Sequence, residues 1–200
     1  MKIRTSTLRN GPILKDRFLI SLFLFFLLGF MIGVFTLSNL SKTNNNLFEI
    51  ISLYIQNRFS QNILASFIGS ISSAGAVFFC AYFMGLSSLG LPFIHLISAY
   101  DGLTKGVFLS FICINYGFLG FLKAFIIIIP FYTVYTAVLF YALKKAAIMS
   151  TDVFKTLNIK NSEDINKSFV RYNKRFVAIS IFLFVYCVID SLISRLYSVF

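Results

Sequence analysis

Uninterrupted apolar runs long enough to cross a bilayer recur along this chain, and that pattern constrains its fold more than any other feature. The first, Phe18 to Leu37, follows Lys15 and Arg17 and holds no charged residue. A membrane-crossing helix needs ~20 apolar residues at about 1.5 Å of rise each. A secretory signal also pairs a basic start with an apolar centre, but its centre is shorter and ends at a small-residue cleavage site, so an uncleaved span is expected here. Further runs cover Ile63 to Leu86, Pro92 to Tyr116, Phe121 to Leu143 and Phe176 to Ile193. Composition agrees, with 58% hydrophobic and 12% charged residues, against roughly 45–50% and 25% in soluble domains. A soluble core of this size could not hide the excess, whereas lipid solvates it. The expected fold is all-α: a polytopic helical bundle of about five transmembrane helices, forming one membrane domain over residues 1–200.

The formal net charge is +11. On a soluble chain that balance points to nucleic acid. Here the cations gather between apolar runs, and no basic helix or aromatic stacking platform stands clear of them, so anionic headgroups are the expected partner and nucleic acid is not. Cytoplasmic loops are enriched in Lys and Arg. One cluster is Lys2, Arg4, Arg9, Lys15 and Arg17. The other lies in the polar segment 144–175, with Lys144, Lys145, Lys155, Lys160, Lys167, Arg171, Lys174 and Arg175. Five spans from a cytoplasmic N-terminus put both clusters inside and leave only Lys42, Arg58, Lys123 and Arg195 outside. The expected location is therefore the cell membrane, multi-pass, with the C-terminus extracytoplasmic.

Between the first two runs, Leu47, Ile50, Ile51, Tyr54 and Ile55 recur at helical spacing, and Asn46 with Glu49 resembles an N-cap and its acid. An amphipathic helix over about 47–59 follows, lying either in the interface plane or packed on the spans. The second run is rich in Ala65, Ser66, Gly69, Ser70, Ser73, Ala74 and Gly75. Small residues let helix backbones approach where lipid supplies no hydrophobic force between them, which places this helix centrally. Gly29 and Gly33 give the first run a G-x-x-x-G spacing. Pro92 suits a first helical turn, Gly117 to Gly120 reads as a tight turn, and Pro130 predicts a kink that frees a carbonyl one turn earlier. The segment 89–116 is either one helix or two half-helices meeting at Asp101-Gly102. Cys80, Cys113 and Cys187 sit singly in apolar runs, as small packing residues.

Asp101 and Lys105 are the sharpest chemical feature. Four apart, they share one helix face, and charges near mid-membrane pair and carry a functional expectation. They form either a structural ion pair facing the bundle or a substrate or ion site at a broken helix. Gly102 and Gly106 beside them are candidate helix-packing or kink positions, as are Gly29, Gly33, Pro92 and Pro130. His95 is the sole histidine and reads as a hydrogen-bonded or interfacial side chain; Asp190 reads as a structural partner near the outer interface, about one and a half turns from Arg195. No Walker motif, G-x-S-x-G, H-E-x-x-H or dinucleotide loop occurs. No catalytic set, cofactor or metal site is expected.

Four features together resemble the stage II sporulation protein M family. They are the first-span ending Ile32-Gly33-Val34-Phe35-Thr36, the interfacial segment that follows, the stretch from Gly85 to Pro92 leading to Asp101-Gly102-Leu103-Thr104-Lys105-Gly106, and Gly117-Phe118-Leu119-Gly120-Phe121 before a run interrupted by Pro130. The chain departs from the family at Asp101, where a basic residue is usual, and at Phe131-Tyr132, where Gln-Asn is common. The resemblance implies a bacterial membrane scaffold that works with two extracytoplasmic peptidoglycan-degrading partners at the septum and around the engulfing membrane, without being the hydrolase. Relatives are also encoded beside ATP-driven export systems. Three functions therefore stand as expectations: a scaffold for partner proteins, a membrane subunit of an ABC transporter, and an intramembrane enzyme, for which no converging nucleophile and base are apparent.

Overall fold

The computed structural model describes residues 12–43, 45–60, 62–159 and 162–198. The basic residues Lys2, Arg4, Arg9 and Lys160 lie outside them. Among the described residues six helices form: α1 (Pro12–Thr43), α2 (Asn45–Ser60), α3 (Ile63–Leu86), α4 (Gly90–Lys123), α5 (Ile129–Ile159) and α6 (Ser162–Ser198), with a π-helical turn over Ala124–Ile128 before α5. No strand occurs among the described residues.

Among the described residues four helices are long and apolar enough to cross a membrane, over Arg17–Lys42, Ile63–Leu86, Gly90–Leu122 and Ser168–Ser194. The expected count of about five is not reached by this measure, because the run 121–143 is split. Proline lacks an N–H, and its ring clashes with the carbonyl four residues back. Here the wide turn immediately precedes Ile129 and Pro130, and widening of this kind is a known way to accommodate a broken ladder. The Thr133 hydroxyl donates to the Pro130 carbonyl at 2.6 Å. What remains in α5 is diluted by Tyr132, Thr133, Tyr135, Thr136, Lys144 and Lys145.

Several boundaries correct the sequence reading. The polar segment 144–175 is not a loop: α5 continues through it to Ile159 and α6 begins at Ser162. At 37 residues, α6 is about 55 Å long, well beyond one bilayer core. The segment 89–116 is a single helix through Asp101. The one non-helical residue inside α4 is Gly117, at φ 58° and ψ −150°, a left-handed region open to glycine. Helix α4 starts at Gly90, which puts Pro92 in its first turn. Helix α2 starts at Asn45, so Asn46 falls inside its first turn rather than at the cap. Cys187 is buried as expected, but Cys80 and Cys113 face outward.

Helix directions follow from contact pairs. Gly29 of α1 meets Ala99 of α4, and Gly33 meets Leu103; both partners advance by four, so α1 and α4 run parallel. Lys105 meets Thr136 and Phe108 meets Tyr132, so α4 and α5 run antiparallel about the break at Gly117; the tight turn expected over Gly117 to Gly120 is that one residue, and helix resumes at Phe118. Ser70 meets Asp190 and Tyr82 meets Asn173, so α3 and α6 are antiparallel. Phe78 pairs with Tyr135 and Gly85 lies against Ala146, so α3 and α5 are parallel. Helix α2 therefore lies at the end of the bundle where α1 finishes and α3 begins.

Two hydrophobic clusters hold the bundle. The larger joins all the long helices through Leu22, Phe78, Ile94, Leu139, Leu143, Phe176 and Cys187. The smaller, toward the α2 end, joins Leu37, Ile55, Phe111, Ile112, Ala124 and Ile128. Helix α2 packs Ile55 into that cluster and leaves Ile50, Leu53 and Tyr54 exposed.

Candidate functional site

The site begins with the face that α4 turns toward α1. Gly102 and Gly106 lie against the carbonyls of Phe26 and Phe30, while Gly29 and Gly33 lie against those of Ala99 and Leu103. A methyl at any of the four would overlap one of these oxygens. Two G-x-x-x-G spacings thus interlock, and close backbone contact of this kind drives helix association in lipid. Asp101 and Lys105 sit one residue before each α4 glycine, about 100° away around the helix. Seating the glycines on α1 therefore aims the charged pair at α5.

Lys105 Nζ lies 2.5 Å from Asp101 Oδ2 and 2.5 Å from Thr136 Oγ1. The Thr136 hydroxyl gives its proton to the Tyr132 carbonyl at 2.8 Å, so it faces the ammonium with a lone pair. The rings of Tyr135, Phe26 and Tyr132 surround the same nitrogen at 4.7, 5.4 and 5.9 Å, within reach of cation–π attraction. The side chains are only 12% and 6% exposed. A buried ion pair is held only where geometry and further contacts offset desolvation; here a counter-ion, a hydroxyl and three rings do so. The Thr104 hydroxyl donates to the Asp101 carbonyl at 3.0 Å.

A second polar contact joins α3 to α6. The Ser70 hydroxyl donates to Asp190 Oδ2 at 2.5 Å, and Asp190 is buried. Its observed partner is thus Ser70 on α3; the side chain of Arg195 lies outside the described residues. Both polar contacts line one cavity of about 560 Å³, walled by α2, α3, α4, α5 and α6. Its volume falls within the roughly 300–1,000 Å³ of small-molecule sites. Tyr54, Tyr100, Tyr132, Tyr135 and Tyr186 supply much of the wall.

The remaining sequence candidates stand apart. His95 donates from Nδ1 to the Leu91 carbonyl at 2.9 Å and packs against Phe18 and Phe25; it does not line the cavity. Pro92 and Pro130 shape helix starts and lie outside the lining. Among the described residues no group of three His, Cys, Asp or Glu could hold a metal ion. Sequence reasoning missed Ser70, Thr136 and the tyrosine wall, which no local pattern marks. Asp190 did carry a signal, as the lone charge between Phe176 and Ile193.

Four membrane-length helices, a glycine-sealed helix pair and a buried ion pair define a multi-pass membrane protein. A family model described as Stage II sporulation protein M matches residues 22–195. The chain belongs to that family, as the motifs around Gly33, Asp101 and Gly117 suggest. Searches of curated proteins and of solved structures found no match.

Proposed function

We propose that this chain is a non-catalytic membrane scaffold that gathers extracytoplasmic peptidoglycan-degrading partners during the engulfment step of sporulation. The observation that carries the reading is the family match over residues 22–195, which brings with it the role implied by the resemblance. The geometry supplies a fitting surface. Helix α2 caps one end of the bundle and keeps Ile50, Leu53 and Tyr54 exposed, at the end where the sequence carries few cations.

The orientation that goes with this function has the N-terminus in the cytoplasm and α5 as a fifth crossing. Helix α5 runs antiparallel to α4 and buries Leu139, Ala142, Leu143 and Ala146 in the main cluster. Its Tyr132, Tyr135 and Thr136 turn to Lys105 rather than outward. A helix whose polar residues face the bundle crosses a membrane with less mean hydropathy than one facing lipid all round. The parallel packing of α1 on α4 also suits five alternating passes.

A second reading, as a subunit of an ATP-driven export system, is favoured by the cavity at Asp101 and Asp190. A crosslinked pull-down from native membranes, tagged at the N-terminus, separates the two. Cell-wall hydrolases are the expected catch. An ATPase with a permease, and no hydrolase, overturns the scaffold.

A further inference from the structure

The cavity has a specific chemical bias. Lys105 carries three N–H donors. Two reach Asp101 and Thr136, and the Tyr135 ring stands over the same nitrogen. The ammonium is thus satisfied and offers nothing to an acceptor or an anionic head. Asp101 is the opposite case. Lys105 engages Oδ2 alone, the backbone oxygen is served by Thr104, and no described residue donates to Oδ1. The residue is 4% exposed and lines the cavity. A carboxylate oxygen buried without a donor costs free energy that a ligand's N–H can recover.

The rest of the lining agrees on shape. Asp190 lines the cavity with its carboxylate held by the Ser70 hydroxyl. Tyr132 and Tyr135 also line it with rings beside Lys105, while Ile51, Ala74 and Val77 give an apolar wall. Several lining residues are exposed, among them Ile50 and Tyr54 on α2 and Tyr100 on α4. Tyr100 lies near the middle of the α4 span, so the mouth opens sideways toward lipid as well as toward α2.

We propose that this cavity binds an amphiphilic primary ammonium, with the N–H head on Asp101 Oδ1 and the apolar tail along the α2–α3 wall. The site goes beyond the scaffold reading and stands under either class of protein partner.

The test uses the full chain in phosphatidylcholine nanodiscs and tritiated dodecylamine, counted above empty nanodiscs. Saturable binding near one per chain is expected. Dodecyltrimethylammonium, which lacks an N–H, should bind at least tenfold more weakly, and dodecanoate should not bind. Asp101→Asn should weaken the amine at least tenfold. Ser73→Phe, which fills the cavity from α3 and leaves the ion pair in place, should abolish saturable binding. Dodecanoate binding as well as the amine overturns the proposal, as does trimethylammonium binding as tightly. If Asp101→Asn does not fold, Ser73→Phe decides alone, and amine binding at the parental level there overturns the proposal.

Discussion

The four glycines in the facing rows of α1 and α4 differ from Gly69 and Gly75 of α3 in a way that residue type alone does not show. Gly29, Gly33, Gly102 and Gly106 each hold a carbonyl of the facing helix where a side chain would sit, whereas Gly69 and Gly75 have nothing within 4 Å. Helix α3 packs instead through Ser66, Ser70, Ala74, Phe78, Ala81 and Gly85, and its Ser70, Ser73, Ala74 and Val77 border the cavity. One half of the molecule is a dry backbone seam; the other keeps polar groups around open space. A small residue therefore marks a close approach only when a second helix supplies a matching row.

The comparison is broken most severely at the charged pair between the two halves. Removing one partner of a buried ion pair costs about 3–5 kcal/mol, so Asp101→Ala should lower stability by about that much in a thermal or denaturant titration in detergent. Combining it with Lys105→Met should recover part of the loss; no recovery would show that the pair does not act as a unit. Next in size, Gly102→Leu should cost about 3 kcal/mol, since overpacking a close seam drives backbones apart. A parental melting curve would remove the seam from the account.

Smaller effects sharpen the contrast. The Tyr172 hydroxyl donates to the Tyr82 carbonyl at 2.9 Å, and the two rings stack with centroids 5.4 Å apart. Tyr172→Phe keeps the stack and loses the bond, for about 1 kcal/mol. Gly69→Leu, on the open side of α3, should change stability by less than about 0.5 kcal/mol. A loss as large as that of Gly102→Leu would mean that a further helix seats on this face.

Much of this was legible in the sequence, for identifiable reasons. Unbroken apolar runs placed α3 at its observed bounds and the centre of α1, which extends six residues further at each end, because lipid demands length and apolarity and little else. The spacing of Asp101 and Lys105 gave their pairing, since residues four apart share a helix face. The run at 121–143 was harder. Pro130 announced a disturbance, but not that a π turn would precede it, because hydropathy does not count backbone hydrogen bonds. Residues 144–175 read as a loop for their charge, yet charged helices extend past a membrane when packing at their base sets the direction. Asp190 and Ser70 meet across α3 and α6, and the register between distant segments leaves no periodic trace. Both glycine pairs of the seam, Gly29 with Gly33 and Gly102 with Gly106, stood out in the sequence, but the facing carbonyls belong to Phe26, Phe30, Ala99 and Leu103, which nothing local identifies.

The central claim is that extracytoplasmic partners assemble on the α2 end of the bundle. A photoreactive residue placed at Leu53, exposed on α2, and another at Phe154, exposed on the basic stretch of α5, test it in native membranes. The account predicts a cell-wall hydrolase crosslinked through position 53 and none through position 154. Hydrolase adducts only at 154, or at neither position in cells where engulfment proceeds, would contradict it.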